Sequence, residues 1–237
     1  MMLLAGFLVP GGLPRAAAAQ VMDDKIYSLV LFDLAEYRRT GNGNPVSWDL
    51  VGWVGGDFTR VWFKSEGDAP TTGGGGEWDA QVLYGRLIAP FWDVQLGARI
   101  DVRYGGGGER ARVLAVLGLQ GLAPYWFELE PALYVSQNGD VSGQLTASYD
   151  MFITQRLIVQ PRLEAHAAVQ EVPDFGVGSG LNSIELGLRT RYEFRREYAP
   201  YLGVSWLRRV AGTADLARRA GEAVSDFAVV GGIRVWF

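Results

Sequence analysis

The stretch PFWDVQLGARIDVRYGGGG, residues 90–108, decides the fold class. From Trp92 to Tyr104, every second residue is apolar or aromatic, and the residues between them are charged, polar or glycine. A period of two is that of a β-strand, whose side chains alternate between the two faces of a sheet. Such a strand belongs either to a soluble sheet, with its apolar face on a core, or to a membrane barrel, with that face in lipid.

The same alternation returns in five further segments, and it favours lipid. Within each segment the charges fall on one face only, whereas a helical period would scatter them over both faces. At about 12 residues, these runs exceed the usual length of a soluble strand. The chain also ends on an alternating strand that closes with an aromatic residue, which is typical of outer-membrane barrels. The segments are 125–136, 141–151, 157–170, 183–194 and 226–237.

The connections between the predicted strands are of two kinds. Ala-Pro-aromatic triplets at 89–91, 123–125 and 199–201, with a further reversal near 153–155, predict short turns at one end of the sheet. The other connections are longer and mostly Gly-rich, and we expect them at the opposite end, as in outer-membrane barrels. They lie at 40–47, 67–76, 105–108, 138–140, 172–181 and 211–224.

The strand count depends on the segment 47–67, which forms either one long strand or a hairpin that reverses at 55–57. The hairpin gives an even number and brings both chain ends to the short-turn side, as bacterial barrels require. We therefore predict an all-β fold: a transmembrane, antiparallel, up-and-down β-barrel of about 12 strands. A barrel of 10 strands with an irregular start is the fallback, because strands around this hairpin would be short for a full crossing.

Composition limits the remaining possibilities for this chain of 237 residues. A net charge of −4 gives no support for a nucleic-acid partner, and the lack of Cys excludes disulfides and thiolate metal ligands. Residues 1–19 combine an apolar run with an Ala-rich cleavage site, which predicts a signal peptide ahead of a barrel over 20–237. After Gln20 no apolar run approaches the ~18 residues of a spanning helix. We expect a monomer.

Several hairpins, in order, resemble the barrel of the copper resistance protein B family. The resemblance covers nearly the whole chain after residue 20, through YSLVLFDLAEYR (27–38), WDLVGWVGGDFTRVWFKSEG (48–67), LYGRLIAPFWDVQLGARIDVR (83–103), GLAPYWFELEPALYVS (121–136) and YDMFITQRLIVQPRLE (149–164). It implies a protein of the bacterial outer membrane that acts in copper homeostasis, embedded in outer-membrane lipid. Copper ions, weakly bound, and periplasmic copper proteins are the partners that it implies.

One departure from the family pattern concerns soft copper ligands. Members of the family commonly carry a Met- and His-rich region ahead of the barrel, since thioether and imidazole groups are good copper ligands. This sequence has four Met and one His. We therefore expect that capture of copper by an N-terminal Met cluster plays no part in this chain.

The polar face supplies the candidate metal ligands. His166 shares that face with Glu164, and this pair forms a candidate copper site in the barrel interior. Asp93, Glu128 and Glu130 lie towards the short-turn end, where they would attract cations. The alternative for all five residues is a structural one: His166 as part of a hydrogen-bonded lining, and the carboxylates as part of a salt-bridge network that fills a narrow barrel.

Two other functions are compatible with a barrel of this kind. One is a small solute channel unrelated to copper. The other is a barrel hydrolase, which would require a nucleophile activated by His166. The sequence has no Gly-x-Ser-x-Gly motif, and His166 is predicted to face the interior rather than lipid. We therefore expect that the protein is not an enzyme.

Overall fold

A computed structural model describes residues 25–41, 43–105 and 108–237. In this part the chain forms a closed antiparallel barrel, because successive crossings of the sheet pair with one another and the last strand pairs with the first. The strands are β1 (Tyr27–Arg39), β2 (Pro45–Gly55), β3 (Thr59–Pro70), β4 (Gly76–Ala89), β5 (Trp92–Gly105), β6 (Gly108–Ala123), β7 (Phe127–Ser136), β8 (Val141–Ser148), β9 (Met151–Phe152), β10 (Leu157–Ala168), β11 (Gly180–Tyr192), β12 (Tyr198–Arg209) and β13 (Ser225–Trp236).

The predicted barrel of 12 strands is confirmed. Of the 13 segments, β8 and β9 are two parts of one crossing, since both pair with β10. The interruption lies opposite Gln160 and Pro161, and Pro161 has no N–H to donate to the ladder. The hairpin near 55–57 is also confirmed, with β2 and β3 both long enough to cross, so the 10-strand fallback does not apply. The predicted signal peptide, residues 1–19, lies outside the described residues.

The alternation in the opening stretch places its side chains as expected, except that Val102, expected on the outer face, is only 5% exposed. Leu96, on the outer face, is 61% exposed, whereas its neighbour Gln95, on the inner face, is 2% exposed. Asp93 and Asp101 are buried like Gln95, and Ile100 is exposed like Leu96. An apolar outer surface of this size is unfavourable in water, whereas it is favourable in contact with lipid.

The predicted difference between the two ends of the barrel rests on two long connections, residues 169–179 and 210–224. Residues 137–140, between β7 and β8, are as few as those in the turns at the opposite end. Short connections join β2 to β3, β4 to β5, β6 to β7, β9 to β10 and β11 to β12 at one end. The longer connections at the other end include a helix, α1 (Ala211–Ala220), and a short 3-10 turn (Pro173–Phe175). Within residues 25–41, 43–105 and 108–237, no helix has the length and apolar character needed to cross a membrane.

One of the predicted turns is wrong. The triplet 199–201 lies inside β12, and the reversal before it occurs over residues 193–197. Tyr201 faces the interior there, where its hydroxyl donates a hydrogen bond to Glu36 across 3.2 Å. Pro200 fits near the start of a strand, a position that tolerates a missing N–H. The triplet therefore marks a short-turn end without forming the turn itself.

The barrel interior holds an apolar cluster that the sequence pattern did not predict. It comprises Trp62, Leu83, Leu114, Val116 and Tyr134, all buried on the inner faces of β3, β4, β6 and β7. In the segment around Leu114 and Val116 both faces are apolar, so alternation gives no sign of which residues point inward. The interior is therefore charged on part of its wall and apolar on another part.

Gly85 provides space for the Trp62 side chain, and an alanine there should destabilise the barrel. A Cβ atom at position 85 would lie 2.4 Å from Nε1 and 2.8 Å from Cδ1 of Trp62. We expect Gly85→Ala to lower the free energy of unfolding by ~1–3 kcal/mol, the usual cost of overpacking. Denaturant unfolding of the barrel in lipid vesicles measures this change.

Gly118 is the matched control for that substitution, because it also faces the interior of the barrel. The nearest atoms to a Cβ at position 118 are 3.7 Å away, an ordinary contact. Gly118→Ala should therefore leave stability nearly unchanged. Equal losses at both positions would contradict the role assigned to Trp62.

Candidate functional site

A cavity of about 890 Å³ occupies the interior on the long-loop side of the barrel. Carboxylates and arginines from several strands line it, together with part of α1 and the 3-10 turn. Most of the arginines are paired: Arg99 lies 3.2 Å from Asp79, and Arg112 lies 2.7 Å from Asp101. The strands therefore bring charges of both signs to one water-accessible space, and pairing reduces the cost of burying them.

Glu164 and His166 lie side by side in this cavity, as the sequence predicts. They are two residues apart on β10, so both side chains point inward. His166 Nε2 lies 2.8 Å from Glu164 Oε1, and both side chains are partly exposed to the cavity. Glu164 also lies 3.8 Å from Arg162. This is an imidazole–carboxylate pair that cavity water can reach.

Gln144 and Glu66 complete the surroundings of the pair, and sequence analysis did not single out either residue. The Gln144 amide nitrogen lies 3.3 Å from Glu164 and 3.5 Å from Glu66, while its oxygen accepts a hydrogen bond from Tyr134. The register pairs Gln144 with His166, which brings this amide to the site. The alternation of β8 predicts that Gln144 faces the interior, but only the pairing of β8 with β10 places this residue beside His166.

The other three predicted ligands lie apart from this pair. Asp93 is 3.3 Å from Arg60, and Glu130 is 2.7 Å from Lys64. Glu128 accepts a hydrogen bond from Ser148 across 3.3 Å. None of the three lines the cavity that holds Glu164 and His166. The five predicted residues therefore form two groups, with Asp93, Glu128 and Glu130 towards the short-turn end.

A network of ion pairs occupies the interior beside the cavity. Arg162 lies 2.8 Å from Asp49 and 3.3 Å from Asp33. Arg189 binds both carboxylate oxygens of Glu36, at 2.8 and 2.9 Å. These contacts join strands far apart in sequence, and they agree with the structural alternative, in which opposite charges fill a narrow barrel.

The chemistry available at the Glu164–His166 pair is limited by its ligand number. Among the described residues, no group of three or more His, Asp or Glu side chains is arranged to hold a metal ion. An imidazole nitrogen and a carboxylate oxygen suit Cu(II), whereas Cu(I) prefers thioether and thiolate ligands. A metal at Nε2 of His166 would also replace the contact with Glu164. The pair therefore supplies two ligand atoms, of the kinds that hard or borderline cations prefer.

Comparisons with known proteins agree with this architecture. Residues 26–237 match the family model described as "Copper resistance protein B precursor (CopB)". The chain is 42% identical to Copper resistance protein B of Escherichia coli over 92% of this chain and 72% of that protein. It is 38% identical to a Copper resistance protein B homolog of Pseudomonas syringae pv. tomato, over the same shares of each chain.

The fold is similar to that of a solved porin. The structure of the NanC porin superposes with a TM-score of 0.54 and 12% sequence identity, covering 88% of this chain and 99% of the porin. At that identity the likeness concerns the fold alone.

Proposed function

The chain belongs to the copper resistance protein B family, and from this premise we propose that it is a bacterial outer-membrane barrel that supports copper tolerance. Its charged interior binds copper ions weakly or lets them pass. Copper is the cargo in this proposal rather than a resident cofactor. Outer-membrane lipid surrounds the barrel, and periplasmic copper proteins are its candidate partners at the short-turn end.

The Glu164–His166 pair carries the proposal. It lies in the cavity on the long-loop side, where its side chains are partly exposed, so an entering cation can reach it. Two protein ligands hold Cu(II) long enough to concentrate it but weakly enough to release it, which passage requires. Towards the short-turn end, where the cation leaves, Asp93 and Glu130 are paired with Arg60 and Lys64, and Glu128 supplies negative charge.

Removing both members of the pair should weaken copper binding and lower copper tolerance. We expect His166→Ala with Glu164→Gln to weaken Cu(II) binding to the folded barrel by about tenfold, which corresponds to ~1.4 kcal/mol. Calorimetry on the refolded protein measures the affinity. Growth of a deletion strain in graded copper, complemented with either form, measures the tolerance.

Glu197→Gln is the matched control, because this exposed carboxylate lies in a short turn away from the cavity. It should change neither affinity nor growth. Tight Cu(I) binding would contradict the ligand argument, since no soft ligand is among the described residues that line the cavity. A deletion strain with full copper tolerance would exclude the proposed role.

A small solute channel is the second candidate function, and the size of the cavity favours it. A cavity of about 890 Å³ is in the range of small-molecule sites, far larger than one ion requires. Bilayer conductance for other solutes, with unchanged copper tolerance in the deletion strain, would support this alternative over the copper role.

A further inference from the structure

We infer that the two longest loops at the long-loop end form a hinged cap that controls entry to the cavity. The cap consists of residues 169–179 and 210–224, and the second segment contains α1. This inference deepens the proposed function, because it concerns access to the cavity that holds the Glu164–His166 pair. Both cap segments contribute to the lining of that cavity.

The two loops behave as one unit because a buried hydrogen-bond cluster joins them. The Thr213 hydroxyl of α1 accepts hydrogen bonds from the Gly178 N–H and from the Asn182 amide, each across 2.9 Å. The Asn182 amide also donates to the Gly178 carbonyl. A Cβ atom on Gly178 would lie within 2.7 Å of the backbone of Gly212 and Thr213, so only glycine permits this close approach.

This cluster also fastens the cap to one side of the barrel. Asn182 belongs to β11, and its carbonyl accepts a hydrogen bond from Val210, which directly follows β12. Thr213, Ala214 and Ala217 are the buried residues of α1, which contacts β11 and β12. We call this attachment the hinge.

The cap touches the opposite wall through three arginines, and one of the residues that they contact, Glu222, also lies 3.5 Å from Arg209 of β12 on the hinge side. Arg103 of β5 lies 3.2 Å from Glu222, and Arg110 of β6 lies 3.8 Å from Asp174. The Arg112 guanidinium lies 4.3 Å from the centre of the Phe175 ring, a cation–π contact. We call these three contacts the latch.

The order of strands shows that the cap spans the full mouth. Counting β8 and β9 as one crossing, β5 is the fifth strand and β12 the eleventh, so they are 11 − 5 = 6 positions apart. In a closed ring of 12 strands, six positions is the opposite side. The hinge and the latch therefore hold the cap from two opposite sides of the barrel.

The two attachments differ in strength. The Arg103–Glu222 and Arg110–Asp174 pairs are solvent-exposed, and exposed ion pairs contribute little and are screened by salt. The hinge is buried, so breaking its hydrogen bonds would leave buried polar groups without partners, which costs free energy. The latch therefore opens first, and the cap swings on an intact hinge.

A thiol-accessibility experiment tests the cap without copper. The native chain has no Cys, so Ser142→Cys, which lines the cavity, is a single reporter. A neutral methanethiosulfonate reagent should label it about fivefold faster when Arg103→Gln and Arg110→Gln remove the latch pairs, given the small contribution of each. In the protein with an intact latch, higher salt should also accelerate labelling, and the latch variant should lose this salt dependence.

Arg218→Gln is the matched control, because Arg218 belongs to the cap but pairs with Asp215 on the same helix. Labelling should not change there. Equal rates in the intact protein and in the Arg103→Gln, Arg110→Gln variant, an equal rise in the Arg218 variant, or salt-independent labelling of the intact protein would overturn the inference. Salt dependence is measured on the intact latch, so it decides the question even if the variant fails to fold. If the native protein binds no copper but its labelling still depends on the latch, only the proposed function is refuted.

Discussion

Arginine in place of Leu145 or Leu186 is expected to lower the free energy of unfolding by ~2–4 kcal/mol, the cost of an Arg near the middle of the bilayer. Both leucines lie near the middle of their strands, on the outer face, and both are exposed. Their surroundings are lipid, where the guanidinium loses its hydration. Denaturant unfolding in lipid vesicles measures the loss.

Thr146→Arg is the control, because Thr146 is next to Leu145 but faces the interior. The register places it between Glu130 on β7 and Glu164 on β10, which supply negative charge on both sides. The change there should cost much less. Gln144 is a poorer control, since its buried amide bonds to Tyr134 and Glu164. Equal costs at Leu145 and Thr146 would mean that the two faces are wrongly assigned.

Arg189→Met should destabilise the barrel by up to ~3–5 kcal/mol, because the buried Glu36 carboxylate loses its two hydrogen bonds to Arg189 and keeps only Arg38, 4.0 Å away, as a cation. The Arg189 and Glu36 side chains are only 5% and 0% exposed, and two hydrogen bonds join them. A methionine side chain has no N–H group and can form neither of these hydrogen bonds. The measurement is again unfolding in vesicles, with native barrel content followed by heat-dependent gel migration.

Two further variants separate the charge effect from general damage. Arg189→Met with Glu36→Gln should recover much of the loss, since the glutamine is neutral and still accepts the Tyr201 hydrogen bond. Arg218→Met, at the exposed pair with Asp215 on α1, should cost less than ~1 kcal/mol. A double variant as unstable as Arg189→Met alone would show that the buried charge is not the cause.

The fold was predictable because lipid and the barrel interior impose opposite demands on alternate residues. That contrast is visible in Leu96 beside Gln95, and in every strand where charges keep to one face. The contrast between alternate residues disappears where both faces of a strand are apolar, as around Leu114. For this reason the sequence pattern does not predict the interior apolar cluster. The helix α1 was missed too, although Ala, Leu and Arg are good helix formers and Gly221 ends the helix in the left-handed conformation.

The candidate site was predictable only as far as it is local. Glu164 and His166 are two residues apart on one strand, so their shared face follows from the strand period alone. Glu66 is 98 positions before Glu164 in the sequence, and the Gln144 amide brings the two carboxylates to one site. Asp93, Glu128 and Glu130 appear equivalent to Glu164 in sequence, but the barrel places them elsewhere.

The sequence by itself determined the strand period, the face of each strand that meets lipid, the two kinds of connection and the family resemblance. These features depend on neighbouring residues and on the solvent that each face requires. Only the tertiary structure decided which charges pair, as in Arg189 with Glu36, and which loops meet across the mouth, as in Glu222 with Arg103. Such contacts depend on the closure and register of the whole ring, which bring together side chains that no local pattern relates.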